Sequence, residues 1–264
     1  MKLKLLLITV VLAMTACEKD EDFDADIGLS SATSEHIGWV VAENSSIYPS
    51  VDKIRSGAGN AIAMIVYVGE PGSVDSGSSK YKGLAIALND ASASSGQWSD
   101  KSSGTKNGFS TWTDGSATDA ATDMNGIEKT KSLSSSGSSA AIRALTYKKG
   151  WPGINWFLPS AGQWYKFLNG TCGLTWTDWG WCSQESAGYA KVNDMFKAAG
   201  ASDAMLSIST YYWTSTEYDA DEAVCVRFSS DKGVDAWHFS KNSNRIRGGE
   251  NGWLNMKVRA FLAF

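Results

Sequence analysis

Gly153-Ile154-Asn155-Trp156-Phe157-Leu158-Pro159-Ser160-Ala161-Gly162-Gln163-Trp164 carries a strand into a helix within a dozen residues. Trp156, Phe157 and Leu158 are apolar, and Pro159 ends the run because it lacks a backbone donor. Ser160 and Gln163 then stand at the spacing of a capping box, in which each side chain satisfies the other's backbone N–H. Trp164, Phe167 and Leu168 follow at helical spacing before Gly170. A capped helix seated on a strand end is predicted, with Trp156, Trp164 and the later Trp213 in the core. Aromatic platforms for a sugar ring are the alternative reading of those three.

Upstream, Gly38-Trp39-Val40-Val41-Ala42, Ala61-Ile62-Ala63-Met64-Ile65-Val66-Tyr67-Val68 and Gly83-Leu84-Ala85-Ile86-Ala87-Leu88 read as strands. The last two are almost continuously apolar, which suits a buried sheet. Residues 92–137 are rich in Ser, Gly, Thr and Asp and read as long irregular structure. Residues 138–149 are expected to form a helix burying Ala141, Ile142 and Leu145 and stopping at Gly150. Another helix, over residues 186–199, sets Tyr189, Val192 and Phe196 on one stripe ahead of Gly200.

Downstream the strand pattern returns, in Tyr211-Tyr212-Trp213-Thr214-Ser215, in residues 223–228, in residues 234–239 and in a terminal strand over residues 257–264. Residues 223–228 alternate only loosely, as an inner strand does. The sequence ends inside a strand pattern, so that strand is expected to be tied into its sheet.

Taken together, Gly153 to Trp164, Tyr212-Trp213-Thr214-Ser215-Thr216-Glu217-Tyr218 and Val258-Arg259-Ala260-Phe261 resemble bacterial C-type-lectin-fold domains, relatives of formylglycine-generating enzymes and of the variable proteins targeted by diversity-generating retroelements. The likeness runs from about residue 37 onward. It implies an α+β fold, C-type-lectin-like, with short antiparallel strands, two to three helices and long irregular loops. In retroelement targets the variable region resembles residues 218–256 of this chain, where a mixture of aromatic, charged and small polar groups has the composition of a paratope. The ligand contacts expected there are Asp219, Asp221, Arg227, Ser229, Asp231, Asp235, Trp237, His238, Ser240, Arg245, Arg247, Asn251 and Trp253. An ordinary polar loop region is the alternative.

The first residues, Met1-Lys2-Leu3-Lys4 and the apolar run to Met14, read as a secretory leader, too short to span a bilayer. Met14-Thr15-Ala16-Cys17 resembles a lipobox, which makes Cys17 the acylated first residue of the mature protein. A plain cleaved signal with an incidental cysteine is the other reading. Residues 18–26 are densely acidic, so residues 17–36 are expected to be a solvated tether. The run resembles the export tag of surface lipoproteins of the Bacteroidetes, which implies an outer-membrane lipoprotein, palmitate-anchored and facing the cell exterior. An acidic linker facing the periplasm is the alternative.

Removing 16 residues from 264 leaves 248, room for one large domain or two small ones. With 43% hydrophobic and 20% charged residues the chain is globular, and a net charge of −4 argues against nucleic acid as a partner. The expected partners are the outer membrane, through the lipid, and a protein or glycan ligand. Cys172 and Cys182 flank a Trp-rich loop and are the disulfide candidates; Cys225 would then be a free thiol, or packed away as a small hydrophobe.

An enzyme is the minor expectation. His36 and His238 are the chain's two histidines, and they suggest no acid–base or metal cluster. The formylglycine-generating relatives use a reactive cysteine pair near the C-terminus, where Cys225 stands alone. No catalytic residue, metal or cofactor is assigned. Glu217, Asp219, Asp221 and Glu222 could offer oxygens to Ca²⁺, although a solvated acidic turn is favoured. A minor or tip subunit of a surface pilus is the third class.

Overall fold

The structure, a computed structural model, describes residues 27–91, 96–99, 120–147, 149–172, 185–201, 210–229, 233–247 and 253–264. It is an α+β protein in which two sheets share their helices. The first sheet has seven strands in the order β1-β3-β2-β4-β5-β12-β6: β1 (Ile27–Gly28), β2 (Val40–Ala42), β3 (Ser46–Tyr48), β4 (Ala61–Val68), β5 (Gly83–Ala87), β6 (Trp156–Phe157) and β12 (Phe261–Ala263). The second has five in the order β10-β11-β7-β8-β9: β7 (Thr210–Glu217), β8 (Glu222–Ser229), β9 (Gly233–Ser240), β10 (Arg245–Arg247) and β11 (Trp253–Lys257). All pairings are antiparallel except β11 with β7, which is parallel and departs from the expected all-antiparallel pattern. Among the described residues there are four α-helices, α1 (Gly126–Ser135), α2 (Ser139–Leu145), α3 (Ala161–Cys172) and α4 (Glu185–Ala198).

Strands β4 and β5 are buried along almost their whole length, as their unbroken apolar sequences require. The capping box at α3 forms: Ser160 N–H donates to Gln163 Oε1 at 2.9 Å, and Gln163 N–H to Ser160 Oγ at 3.3 Å. Trp164, Phe167 and Leu168 are fully buried behind it, and α3 runs past Gly170 to Cys172. Trp164 packs against Tyr212, Phe228 and Phe261, so one indole joins the helix to both sheets. Trp156 and Trp213 are buried as well, which favours the core reading of all three tryptophans.

The first two resemblance motifs are fastened to each other. Ser215 N–H donates to the Pro159 carbonyl and Ala161 N–H to Thr216 Oγ1, both at 2.9 Å, while β7 bulges between Trp213 and Glu217. The bulge turns Thr214, Ser215, Thr216 and Glu217 all inward. Arg259 of the third motif is fully buried, bound to Asp90 at 2.8 Å and to the Ala87 carbonyl at 3.1 Å.

Several expectations are corrected. Residues 257–264 do not form one strand: β11 ends at Lys257 in the second sheet and β12 begins at Phe261 in the first, with the buried Arg259 at the crossing. Residues 126–135, expected to be irregular, are α1, whose inner face is Gly126, Lys129, Thr130 and Leu133. Lys129 is neutralised by Asp123 at 2.6 Å, and Thr130 exchanges hydrogen bonds with Leu158, so this polar face can be buried. Helix α2 stops at Leu145 and buries Ala140, Ala141 and Ala144, leaving Ile142 and Leu145 exposed. Its orientation is fixed at the cap, where Ser138 Oγ donates to the Trp98 carbonyl at 2.6 Å. Residues 27–36, assigned to the tether, are packed: β1 pairs with β3, and Leu29 and Ala32 are buried. Cys17 and Cys182 lie outside the described residues, and Cys172 is the last residue of α3.

Candidate functional site

The site is built on the β8–β9 ladder, which pairs continuously from Glu222↔Ser240 to Ser229↔Gly233. Alternation divides the two strands between two clusters. Val224, Val226, Phe228, Val234 and Ala236 join the cluster around Trp164, whereas Ala223 and Cys225 join the one around Trp213. β9 is the last strand of its sheet among the described residues, and its exposed residue is Trp237.

At that edge Trp237 is 42% exposed, the only large aromatic among the exposed hydrophobic residues of the described part. Its indole lies nearly parallel to the His238 ring, with centroids 5.9 Å apart and an 8° angle. His238 in turn stacks on Tyr218 at 3.7 Å and 5°. The result is a stepped run of three flat rings along the end of the sheet. His238 Nδ1 is 2.6 Å from Glu222 Oε2, which fixes the orientation of the imidazole. Beside this run, Phe239 packs edge-on against Tyr211 at 5.1 Å, and the Arg227 guanidinium lies over the same Tyr211 ring.

The turn that carries Tyr218 is held from beneath. Lys241 is fully buried, and its Nζ is 2.8 Å from Glu217 Oε1 and from the carbonyls of Asp219 and Ala220. Asp219 Oδ1 accepts from the N–H groups of Asp221 and Glu222 at 2.8 and 2.7 Å. The acidic group 217–222 is therefore dispersed: Glu217 faces Lys241, Asp219 closes its own turn and Glu222 faces His238. Among the described residues no group of three or more His, Cys, Asp or Glu could hold a metal ion.

Of the expected contacts, Trp237 and His238 come together, with Asp219, Asp221 and Ser240 at the adjoining turn and strand end. The Ser240 hydroxyl donates to Asn242 Oδ1 at 2.9 Å. Arg227 stands further along β8, over Tyr211. Ser229 and Asp235 lie on β8 and β9 opposite Gly233 and Arg227 in register. Arg245, Arg247 and Trp253 are placed on β10 and β11, at the other side of the sheet, where β7 and β8 separate them from β9. At about 4.8 Å per strand step, this puts them more than ten ångströms from the ring stack, so the expected strip is not one continuous face. Asp231 and Asn251 lie outside the described residues. Sequence reasoning missed Tyr218 and Phe239 as site residues. Strand-end position and period-two alternation beside Trp237 are the signals that point to them.

His36 serves locally. Its Nδ1 accepts from Thr33 N–H at 2.9 Å in a capping box, and its ring meets Trp39 edge-on. Cys225 is buried, its Sγ 3.5 Å from the Trp237 carbonyl. No helix among the described residues is long and apolar enough to cross a membrane. No protein-family model matches this chain, and no curated protein or solved structure matches it.

Proposed function

We propose that this chain is a non-catalytic ligand-binding protein with a C-type-lectin-like domain, displayed on the outer membrane by a lipid on Cys17 and engaging a protein or glycan through the edge of β9. The observation that carries this reading is the Trp237–His238–Tyr218 ring stack, exposed at Trp237 and held in place by Glu222 and by the buried Lys241–Glu217 pair. Flat rings on a preordered strand bury large area at low conformational cost when a sugar or peptide settles on them. The three resemblance motifs support the fold, and the lipobox-like segment with its acidic run supports the display.

Binding of the purified protein to a glycan array and to intact cells tests the site. Trp237→Ala and His238→Ala are each expected to weaken a detected ligand at least tenfold. Unchanged binding in both places the ligand elsewhere. Metabolic labelling with a palmitate analogue, lost in Cys17→Ala, together with protease accessibility on intact cells, tests the anchor. A reverse-transcriptase gene beside this one, with a near-copy of the segment for residues 218–256 differing at adenines, tests diversification.

A further inference from the structure

We infer that the cleft between residues 73–81 and α1 is a second binding site, specific for a protonated primary amine. Its core is the approach of two carboxylates, Asp75 and Glu128. The cleft encloses about 350 Å³ and is lined by Asp75, Gly77, Tyr81, Ile127, Glu128 and Lys131, among others. Asp75 is 3% exposed, and its Oδ1 has no hydrogen-bond partner among the described residues. Leaving a buried acceptor unsatisfied costs about 1–3 kcal/mol, so a carboxylate held in this way suits a donor brought by a ligand. Burial pushes the Asp75 carboxyl up from its usual range, and Glu128 adds to this, while the Gly77 N–H and Lys131 act in the opposite sense.

Gly77 keeps the approach open. A methyl group built on it would lie 3.2 Å from Glu128 Oε2 and 3.9 and 4.0 Å from the two Asp75 oxygens. Both carboxylates therefore border the same face of Gly77, where residue 77 has no side chain to fill the space between them and a ligand. The loop is ordered in advance: Ser76 N–H donates to the Met124 carbonyl at 3.0 Å, and Gln163 Nε2 to the Val74 carbonyl at 2.7 Å.

Charge and shape select the occupant. Asp75 and Glu128 contribute two negative charges and Lys131 one positive, so a single positive charge neutralises the cleft and a divalent ion overshoots it. An ammonium brings three N–H donors, enough for Asp75 Oδ1, Glu128 Oε2 and one water, as charge-assisted bonds. Tyr81 and Ile127, both partly buried against the core, offer an apolar wall to an alkyl stem. A lysine side chain, an amino sugar and a polyamine all carry this group.

The test is titration calorimetry of the purified protein with Nα-acetyl-lysine amide, glucosamine and cadaverine, each beside its N-acetylated form, and with calcium chloride. Saturable one-to-one binding of at least one amine, lost on acetylation, is expected, and the arm that binds identifies the source. Asp75→Asn, Gly77→Ala and the surface change Glu128→Gln should each weaken it at least tenfold without lowering Tm, while Trp237→Ala leaves it intact. That last variant keeps this site distinguishable from the β9 edge. The inference is overturned if no amine saturates the protein, if all three cleft variants bind as the parent does, or if calcium binds stoichiometrically and Asp75→Asn abolishes it.

Discussion

Lys241→Met tests whether the end of the β8–β9 ladder is held by a buried charge. Nζ of Lys241 meets Glu217 Oε1 and two carbonyls at 2.8 Å, and both side chains of the ion pair are fully buried. Methionine keeps most of the side-chain volume, so packing changes little, although the cation–π contact of Nζ with Trp98, 5.2 Å from the ring centroid, goes with the charge. What is lost is the cation that offsets Glu217. Removing one partner of a buried pair costs about 3–5 kcal/mol, because the remaining charge stays out of water. The carbonyls of Asp219 and Ala220 add little, since these two residues are exposed and water can replace the ammonium. In a domain of this size each kcal/mol lowers Tm by about 2–4 °C, so a fall of roughly 6–20 °C is expected. Urea denaturation should show a lower midpoint at an unchanged slope. Adding Glu217→Leu to Lys241→Met removes the stranded charge and should recover about half or more of the loss. A single variant within about 1 kcal/mol of the parent, or a double variant worse than the single, would refute the assignment of the pair as the fastening of the turn.

Two tryptophans should behave oppositely: Trp213→Ala, in the core and donating to the Gly96 carbonyl, is expected to cost about 3–5 kcal/mol. Trp237→Ala should cost about 1 kcal/mol or less in the same urea experiment and act on ligand binding instead. Burial pushes the Tyr212 hydroxyl up from 10.0 to about 12; the folded state then holds a proton that the unfolded state releases, so stability present below pH 10 falls as pH rises toward 12. About 2–3 kcal/mol is at stake, and the difference between parent and Tyr212→Phe in alkaline denaturation should grow over that window and be flat below it. Gly162→Ala in α3 would raise helix propensity, yet its methyl would press on the carbonyls of Ala121 and Asp123; overpacking of about 1–3 kcal/mol is expected to win, read as a lower Tm.

The strands and most helices were legible because their apolar spacing is strong: residues 61–68 and 83–87 have unbroken apolar runs, and Ser160 with Gln163 announces α3. What was illegible depended on polar groups whose partners are remote in sequence. Helix α1 shows the spacing i, i+3, i+4, i+7 only if Lys129 and Thr130 are counted as core residues, and that is decided by Asp123 and Leu158. The face of α2 is not legible in its sequence because Ile142 and Leu145 outrank alanine in hydrophobicity, whereas the Ser138–Trp98 contact turns the alanines inward. At the site, Trp237 and His238 were readable as exposed-looking aromatics. The dispersal of the 217–222 carboxylates was not, since Glu217 is drawn inward by Lys241, 24 residues later.

That dispersal bears on how the outward face of β9 can vary without loss of the fold. Along β9, Val234 and Ala236 are committed to the core, while Trp237 faces outward and His238 is held by a stack and a carboxylate at the strand end. Exchange of Trp237 changes the outward surface of the strand and leaves the inner row of the ladder untouched. Exchange of Glu217 or Lys241 strands a buried charge and loosens the turn that carries Tyr218. Substitution is therefore tolerable at outward positions of this strand and costly at positions 217 and 241, even though all of these lie within forty residues of one another. A saturation library over residues 217–241, sorted first for folding and then for binding, should show that partition, with charge retained at 217 and 241 and free exchange at 237.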